Sequence, residues 1–456
     1  MKEFSESDVR NIEDIIERKD EAEAAEQLKD LHPADIAELF QSLDTDQAEY
    51  LFEQLDEEKA ADVLMELDED ERLKIISEMP AEEIAKQIDH LDTDDAVDLI
   101  QQLDEEEREE ILAHIDDVEQ AGDIIDLLKY DEDTAGGLMG KEMIVVNENW
   151  SMPECIKQMR LQAEDMDEIY YVYVVDNDYR LRGTLPLKMM LTHPSVSKIK
   201  HVMEADPVSV KVDTPIDEVA LDFEKYDLVA MPVTDSIGRL LGRITVDDVM
   251  DEVRESSERD YQLASGISSD VDADDSVLAQ TKARIPWLLV GIASGLLASA
   301  ILGTFESQLQ MVTALALFIP IIGGTGGNVG VQASAIVVQG LANGTLDIKN
   351  FARQLGKEIL VGLLNATVIS SVVLVYNLIT MPSELAVTLS VSCSLFIVVM
   401  FATILGTVVP LTLEKLHINP ALATGPFIQI SNDIVGLIIY VQISTCFLRA
   451  MTDIPI

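Results

Sequence analysis

"FIQISNDIVGLIIYVQIS", Phe427–Ser444, is an apolar run of membrane-spanning character with one carboxylate, Asp433, near its middle. A charge inside a bilayer costs at least about 2.5–3.5 kcal/mol even on insertion scales. A cation, a partner or water must therefore accompany Asp433. Four more apolar stretches precede it, giving spans at Ile285–Phe305, Met311–Gln339, Leu355–Thr380, Leu385–Leu413 and Leu422–Phe447. Each is long enough for a hydrocarbon core of ~30 Å.

The loops between spans orient them. "LANGTLDIKNFARQLGK" and "TLEKLHIN" carry Lys349, Arg353, Lys357 and Lys415, whereas "FESQLQ" and "TMPSEL" carry no base. The positive-inside rule puts the N-terminus in the cytoplasm and the C-terminus outside. The opening "MKEFSESDVRNIEDII" has no apolar core of a signal peptide, which agrees. The expected location is the plasma membrane, crossed several times.

Charge is divided as sharply as hydropathy. From Thr281 onward there are seven acids and seven bases, so the net charge of −52 lies on the first 280 residues. Such a surface repels nucleic acid and attracts cations. The three cysteines, Cys155, Cys393 and Cys446, form no CxxC motif or disulfide framework. No nucleophile–His–acid set is present, so no enzyme is expected.

The acidic half begins with a repeat. Leu31, Leu43, Leu55, Leu67, Met79, Leu91 and Leu103 recur every twelve residues, each followed by a polar turn and a short apolar pattern. Asp44, Asp56, Asp68, Asp92 and Asp104 stand where helix N-caps belong. Two-turn helices are unstable alone, so the units must stack into a superhelix.

Two similar halves follow. "IYYVYVVDNDYRLRGTLPLKMML" (Ile169–Leu191) and "LVAMPVTDSIGRLLGRITVDDVMDEV" (Leu228–Val253) both read strand, turn, strand, helix. They resemble a tandem of cystathionine-β-synthase (CBS) domains, small regulatory modules that bind nucleotides or ions. "GRITVDD" offers Gly242, Thr245 and Asp248 for ribose and phosphate, or Thr245 simply caps the helix that follows. "GTLPLKM" has Pro186 and Met189 in place of the hydroxyl and the acid. Asp247, Asp248, Asp251, Glu252, Glu255 and Glu258 then crowd a helix at i, i+3, i+4 and i+7 spacing. That suits a hydrated Mg²⁺, although Arg254 and Arg259 can also pair with these acids.

Within the second span, "PIIGGTGGNVGVQAS" combines bare glycines with Asn328 and Gln332 one turn apart. On the fifth, Gln429, Asn432, Asp433, Gly436 and Tyr440 form a stripe. Such stripes either glue helices together or line a watery path. Neither span carries Lys or Arg to pair with Asp433.

This order of parts is similar to the MgtE family of Mg²⁺ channels. The second-span stretch resembles its GGNxGxQ signature, and "NPALATGPFIQISNDIVGLIIY" its last-span pattern. The resemblance implies a multidomain membrane protein. Its parts are a superhelical α-helical repeat N domain (1–137), α/β tandem CBS domains (138–200 and 201–255), a connecting helix (256–284) and a five-helix transmembrane bundle (285–456). It implies a homodimer in the lipid bilayer, with the pore between the second and fifth spans of two subunits. Asp433, with Asn328, Gln332 and Gly327, would hold hydrated Mg²⁺ there. Cytosolic Mg²⁺ would close the channel by binding among Asp92, Asp95, Asp217, Asp227, Asp248, Asp251, Glu255 and Asp260. ATP would bind at the CBS pair of some members. Asn419, Gln429, Ile430 and Arg259 depart from the family pattern. The alternatives are a divalent-cation carrier coupled to Na⁺ or H⁺, and a membrane-anchored nucleotide sensor.

Overall fold

A computed structural model describes the chain except residues 1–3, 78, 164–165, 167–168, 195–196, 270, 272–274, 307–312, 347–350 and 452–456. Lys349 of the orientation argument lies outside the described residues. The chain divides into two compact units, Met1–Asp251 and Glu252–Ile456.

The first unit opens with α1 (Glu6–Arg18) and α2 (Glu21–Leu28). Each twelve-residue unit then becomes one short helix: α3 (Pro33–Gln41), α4 (Thr45–Phe52), α5 (Glu57–Glu66), α6 (Glu69–Ser77), α7 (Ala81–Ile88), α8 (Thr93–Gln101) and α9 (Glu105–Leu112), followed by α10 (Val118–Leu127). Asp44 and Asp56 cap as their position demands, whereas the side chain of Asp92 makes no cap bond. Asp44 accepts from the Gln47 amide at 3.0 Å and Asp56 from the Lys59 amide at 3.1 Å. Helices two apart in sequence pack together, α3 on α5, α5 on α7 and α7 on α9. That is how a repeat of marginal helices buries one continuous core. The repeated leucine closes each turn: Leu67 and Leu91 are buried, and the other anchors pack against the same core. Arg72 is buried and donates to the carbonyls of Leu64, Met65 and Leu67, satisfying acceptors that the C-terminus of α5 leaves open.

The second part of this unit holds two sheets. β1 (Ile144–Asn147), β2 (Val172–Val175), β3 (Leu181–Leu185) and β4 (Glu204–Ala205) lie in that order, with α11 (Met152–Gln162) and α12 (Leu187–Thr192) between them in sequence. β5 (Val210–Lys211), β6 (Ala230–Thr234) and β7 (Leu240–Thr245) form the other sheet, with α13 (Ile216–Tyr226) crossing from β5 to β6. In each half the first two strands run parallel and the next pair antiparallel. β2 and β6 are buried along their whole length, which their near-continuous apolar sequences require. The long helix α14 (Val246–Ser265) leaves β7 directly.

The second unit carries five helices long and apolar enough to cross a membrane: Val277–Thr304, Thr313–Ala342, Phe351–Thr380, Leu385–Lys415 and Pro420–Met451. They coincide with the five expected spans. The fourth is the centre of the bundle and packs on the second, third and fifth. Of its most apolar stretch 56% is buried, against 6% for the first span, which packs on the fifth. Tyr440 ties the bundle across its core by donating to the Leu315 carbonyl at 2.8 Å.

Candidate functional site

In the membrane unit, the second and fifth spans approach through glycines. A Cβ on Gly323 would stand 3.2 Å from an Asp433 carboxylate oxygen, and one on Gly327 3.3 Å from Gln429. A Cβ on Gly330 would collide with the Asn432 amide. Sequence places these glycines, and the packing shows why side chains are missing there: the polar stripe of the fifth span lies in the space they leave. Asp433 itself is half-buried, while Asn328, Gln332 and Gln429 are exposed on the single chain. Asn432, packed against Gly330, is 1% exposed, with neither amide atom hydrogen-bonded among the described residues. Gly330→Val should therefore force the two spans apart. Overpacking of this kind costs roughly 1–3 kcal/mol, read as a lower melting midpoint of the detergent-solubilised protein together with lost flux.

One acid in the spans escaped the sequence reading. Glu358 of the third span is only 5% exposed and accepts from Gln354 at 3.4 Å. Its place one residue after Lys357 made it look like the end of a basic loop.

In the first unit, the start of α8 docks on the segment before β1 and on β7. Thr93 is the pin. Its amide and hydroxyl both donate to the Glu142 carboxylate, at 3.0 and 3.1 Å, and its hydroxyl accepts from the Lys141 amide at 2.8 Å. This brings Asp92, Asp94 and Glu142 together, with one carboxylate oxygen from each lying within 4.8 Å of the others. Asp95 and Asp248 join the same cluster. Burial, followed by the charges of Asp248 and Asp92, pushes Asp95 up to about 7. Burial and the same crowd of carboxylates, Asp248 first, hold Asp94 well above the usual range. Asp248 is raised too, chiefly by burial, with the Thr245 hydrogen bonds opposing. These acids cannot all carry charge without a cation, and hard oxygen donors in this number suit Mg²⁺.

Of the predicted sensor acids, the structure thus gathers Asp92, Asp95 and Asp248. Asp217 and Asp227 sit exposed at opposite ends of α13, about 15 Å apart along its axis. Asp251 and Glu255 are exposed on α14, where Arg259 bonds Glu252 at 2.6 Å and Glu255 at 3.4 Å. Asp260 accepts a hydrogen bond from Asn419 at 2.8 Å, so the amide at that departure bonds the connecting helix directly.

Asp94, Glu142 and Arg243 were missed. Asp94 lies inside "LDTDD", already marked by its neighbours. Arg243 lies inside "GRITVDD". Glu142 stands between elements, where no periodicity marks it.

The nucleotide candidates lie close to this cluster. Thr245 donates to Asp248 from both amide and hydroxyl, a helix cap. Gly242 is covered, since a Cβ there would stand 2.6 Å from the Gly140 carbonyl. Nearby, Tyr170, Tyr171, Tyr173, Ile144 and Arg243 line a cleft of about 10 Å³, room for one water molecule.

The comparisons agree with this layout. A family model described as "Divalent cation transporter" matches residues 319–443, the "MgtE intracellular N domain" matches 31–133, and the CBS domain matches 135–194 and 199–255. The "Magnesium transporter MgtE" of Thermus thermophilus is 36% identical over 332 residues, 71% of this chain and 72% of that one. That of Enterococcus faecalis is 31% identical over 337 residues, 73% of each. A solved structure, the cytosolic domain of the Mg²⁺ channel MgtE in complex with ATP, is 30% identical with a TM-score of 0.51, covering 54% of this chain and 99% of that one. The chain is a multi-pass membrane protein and belongs to the MgtE family of magnesium transporters.

Proposed function

We propose that the protein is a Mg²⁺ channel, closed by Mg²⁺ on its cytoplasmic side. The observation that carries the reading is the half-open polar face of the membrane unit. Asn328, Gln332, Gln429 and Asp433 line spans two and five, yet stay accessible on one chain. A single chain offers half a path, and a second copy facing it completes one, which supports a homodimer. Amide oxygens and one acid from each subunit suit an ion that keeps its waters, as Mg²⁺ does because it dehydrates reluctantly.

The sensor follows from the acid cluster. Without metal, Asp92, Asp94, Asp95, Glu142 and Asp248 repel, and the repeat domain loosens. Mg²⁺ among them favours the docked form, and that differential affinity drives closure through α14. In this division of labour, residues 1–137 sense with the CBS pair at 138–255, residues 256–284 transmit, and 285–456 conduct. Adenine nucleotide at the CBS pair is supported by the likeness to the ATP-bound cytosolic domain. The orientation we propose has the N-terminus and both sensor parts in the cytoplasm of a plasma-membrane protein. No catalytic role is proposed.

The test is Mg²⁺ flux into proteoliposomes, with Mg²⁺ absent or millimolar on the face bearing the soluble unit. Flux without metal and arrest with it support the reading. Flux that needs a Na⁺ or H⁺ gradient makes the protein a carrier. No flux under any condition overturns transport by this pore.

A further inference from the structure

The acid cluster contains a cation of its own. Arg243, on β7, reaches into it with its side chain 11% exposed. Its Nε donates to the Glu142 carbonyl, and its Nη2 meets the Asp92 carboxylate at 3.3 Å. The guanidinium also lies 5.8 Å from the centre of the Tyr170 ring. One side chain rooted in a buried strand therefore holds both partners of the docking contact: the first turn of α8 through Asp92, and the segment before β1 through Glu142. Asp92 shows the effect. It stands at the N-cap of α8 with the expected extended backbone, but its side chain makes no cap bond. Its carboxylate meets the arginine instead.

We propose that Arg243 is a tethered counter-cation that limits how far the repeat domain loosens from the CBS pair when metal is absent. The charges that meet it are Asp92, through the ion pair, and Asp248; Asp94, Glu142 and Asp95 complete the cluster, with Arg72 acting on Asp95 from the repeat side. Lys141, also nearby, pairs with Asp123 at 3.7 Å. Arg243 thus neutralises part of the cluster permanently, and a divalent ion is required only for what is left. A guanidinium is never deprotonated, and once desolvated it holds a carboxylate more strongly than water would allow. Its geometry is fixed by the strand, so docking loses little rotamer entropy. The consequence for closure rests on the gating reading above, but the docking role does not.

Amide exchange measures the contact directly, because the Thr93 and Lys141 amides bond across it. The full-length protein in detergent is compared with Arg243→Met, which keeps the apolar stem, and Arg243→Lys, which keeps the charge. In EDTA, peptides holding Thr93 and Lys141 should exchange roughly tenfold faster in Arg243→Met than in wild type, the effect expected of one lost charged hydrogen bond. Arg243→Lys should fall between them. Should Arg243→Met fail to fold, Arg243→Gln, which removes the charge but keeps a polar side chain, should give an acceleration in the same direction. Equal exchange in wild type and the uncharged variants overturns the proposal. Millimolar Mg²⁺ should then restore protection to Arg243→Met. If Mg²⁺ changes exchange in no variant, the sensor reading fails while the EDTA comparison still decides the role of Arg243.

Discussion

Asp433→Ala should abolish selective Mg²⁺ flux, and Asp433→Asn should do nearly the same despite its almost identical shape. The carboxylate stands at the seam of the second and fifth spans, 3.2 Å from where a Cβ on Gly323 would lie. A dication held through one water layer, roughly 5 Å from a carboxylate, gains several kcal/mol at an effective dielectric of about 20. Loss of even about 2.7 kcal/mol lowers ion occupancy a hundredfold. The amide of Asn keeps an acceptor but no charge, so packing survives while attraction does not. Flux of tracer Mg²⁺ into proteoliposomes, beside the melting midpoint of each variant, separates the two roles. A folded Asp433→Asn that conducts like wild type would mean that this acid serves only to pack helices. The opening cost of burying the charge then has no compensating ion, and the channel reading falls with it.

How far the sequence revealed this arrangement differs between the two units. The spans were legible because a bilayer imposes one rule, long uncharged apolar runs, and five such runs stand out against an acidic background. The repeat was equally plain, since a period of twelve with capping aspartates can only mean stacked short helices. Asp433 declared itself by cost alone. The sensor was less legible because its contacts join residues far apart in sequence. Asp92 reads as an N-cap, and locally it is one, but Arg243, 151 residues later, takes its carboxylate. Glu142 carries no pattern at all and acquires its place only when Thr93 docks on it. The acidic face of α14 shows the opposite case. Its spacing suggested a metal site, but Arg259 supplies Glu252 and Glu255 with a partner from the same helix. Local periodicity identifies which groups share a face, whereas long-range packing decides which of them need a cation.

Acid should substitute for Mg²⁺ at the docking contact. Asp95 is pushed up to about 7 in the docked form, first by burial and then by the charge of Asp248, which docking brings beside it. A carboxyl raised on docking contributes stability that is complete below 3.8 and is lost as pH rises through about 7. In metal-free buffer the exchange of the Thr93 and Lys141 amides should therefore slow as pH falls from about 8 to about 6, after correction for the intrinsic rate. At millimolar Mg²⁺ this dependence should flatten, since the ion stabilises the ionised cluster that the proton would otherwise neutralise. Asp95→Asn, a permanent copy of the protonated side chain, should be docked at pH 8 without metal and respond only weakly to Mg²⁺. If Asp95→Asn instead undocks and Mg²⁺ cannot redock it, the ligand lost outweighs the repulsion relieved. Asp95 would then be a metal ligand whose role exceeds its electrostatic penalty. Either sign is decided by one comparison at fixed pH, because the two contributions act in opposite directions on the same pair of amides.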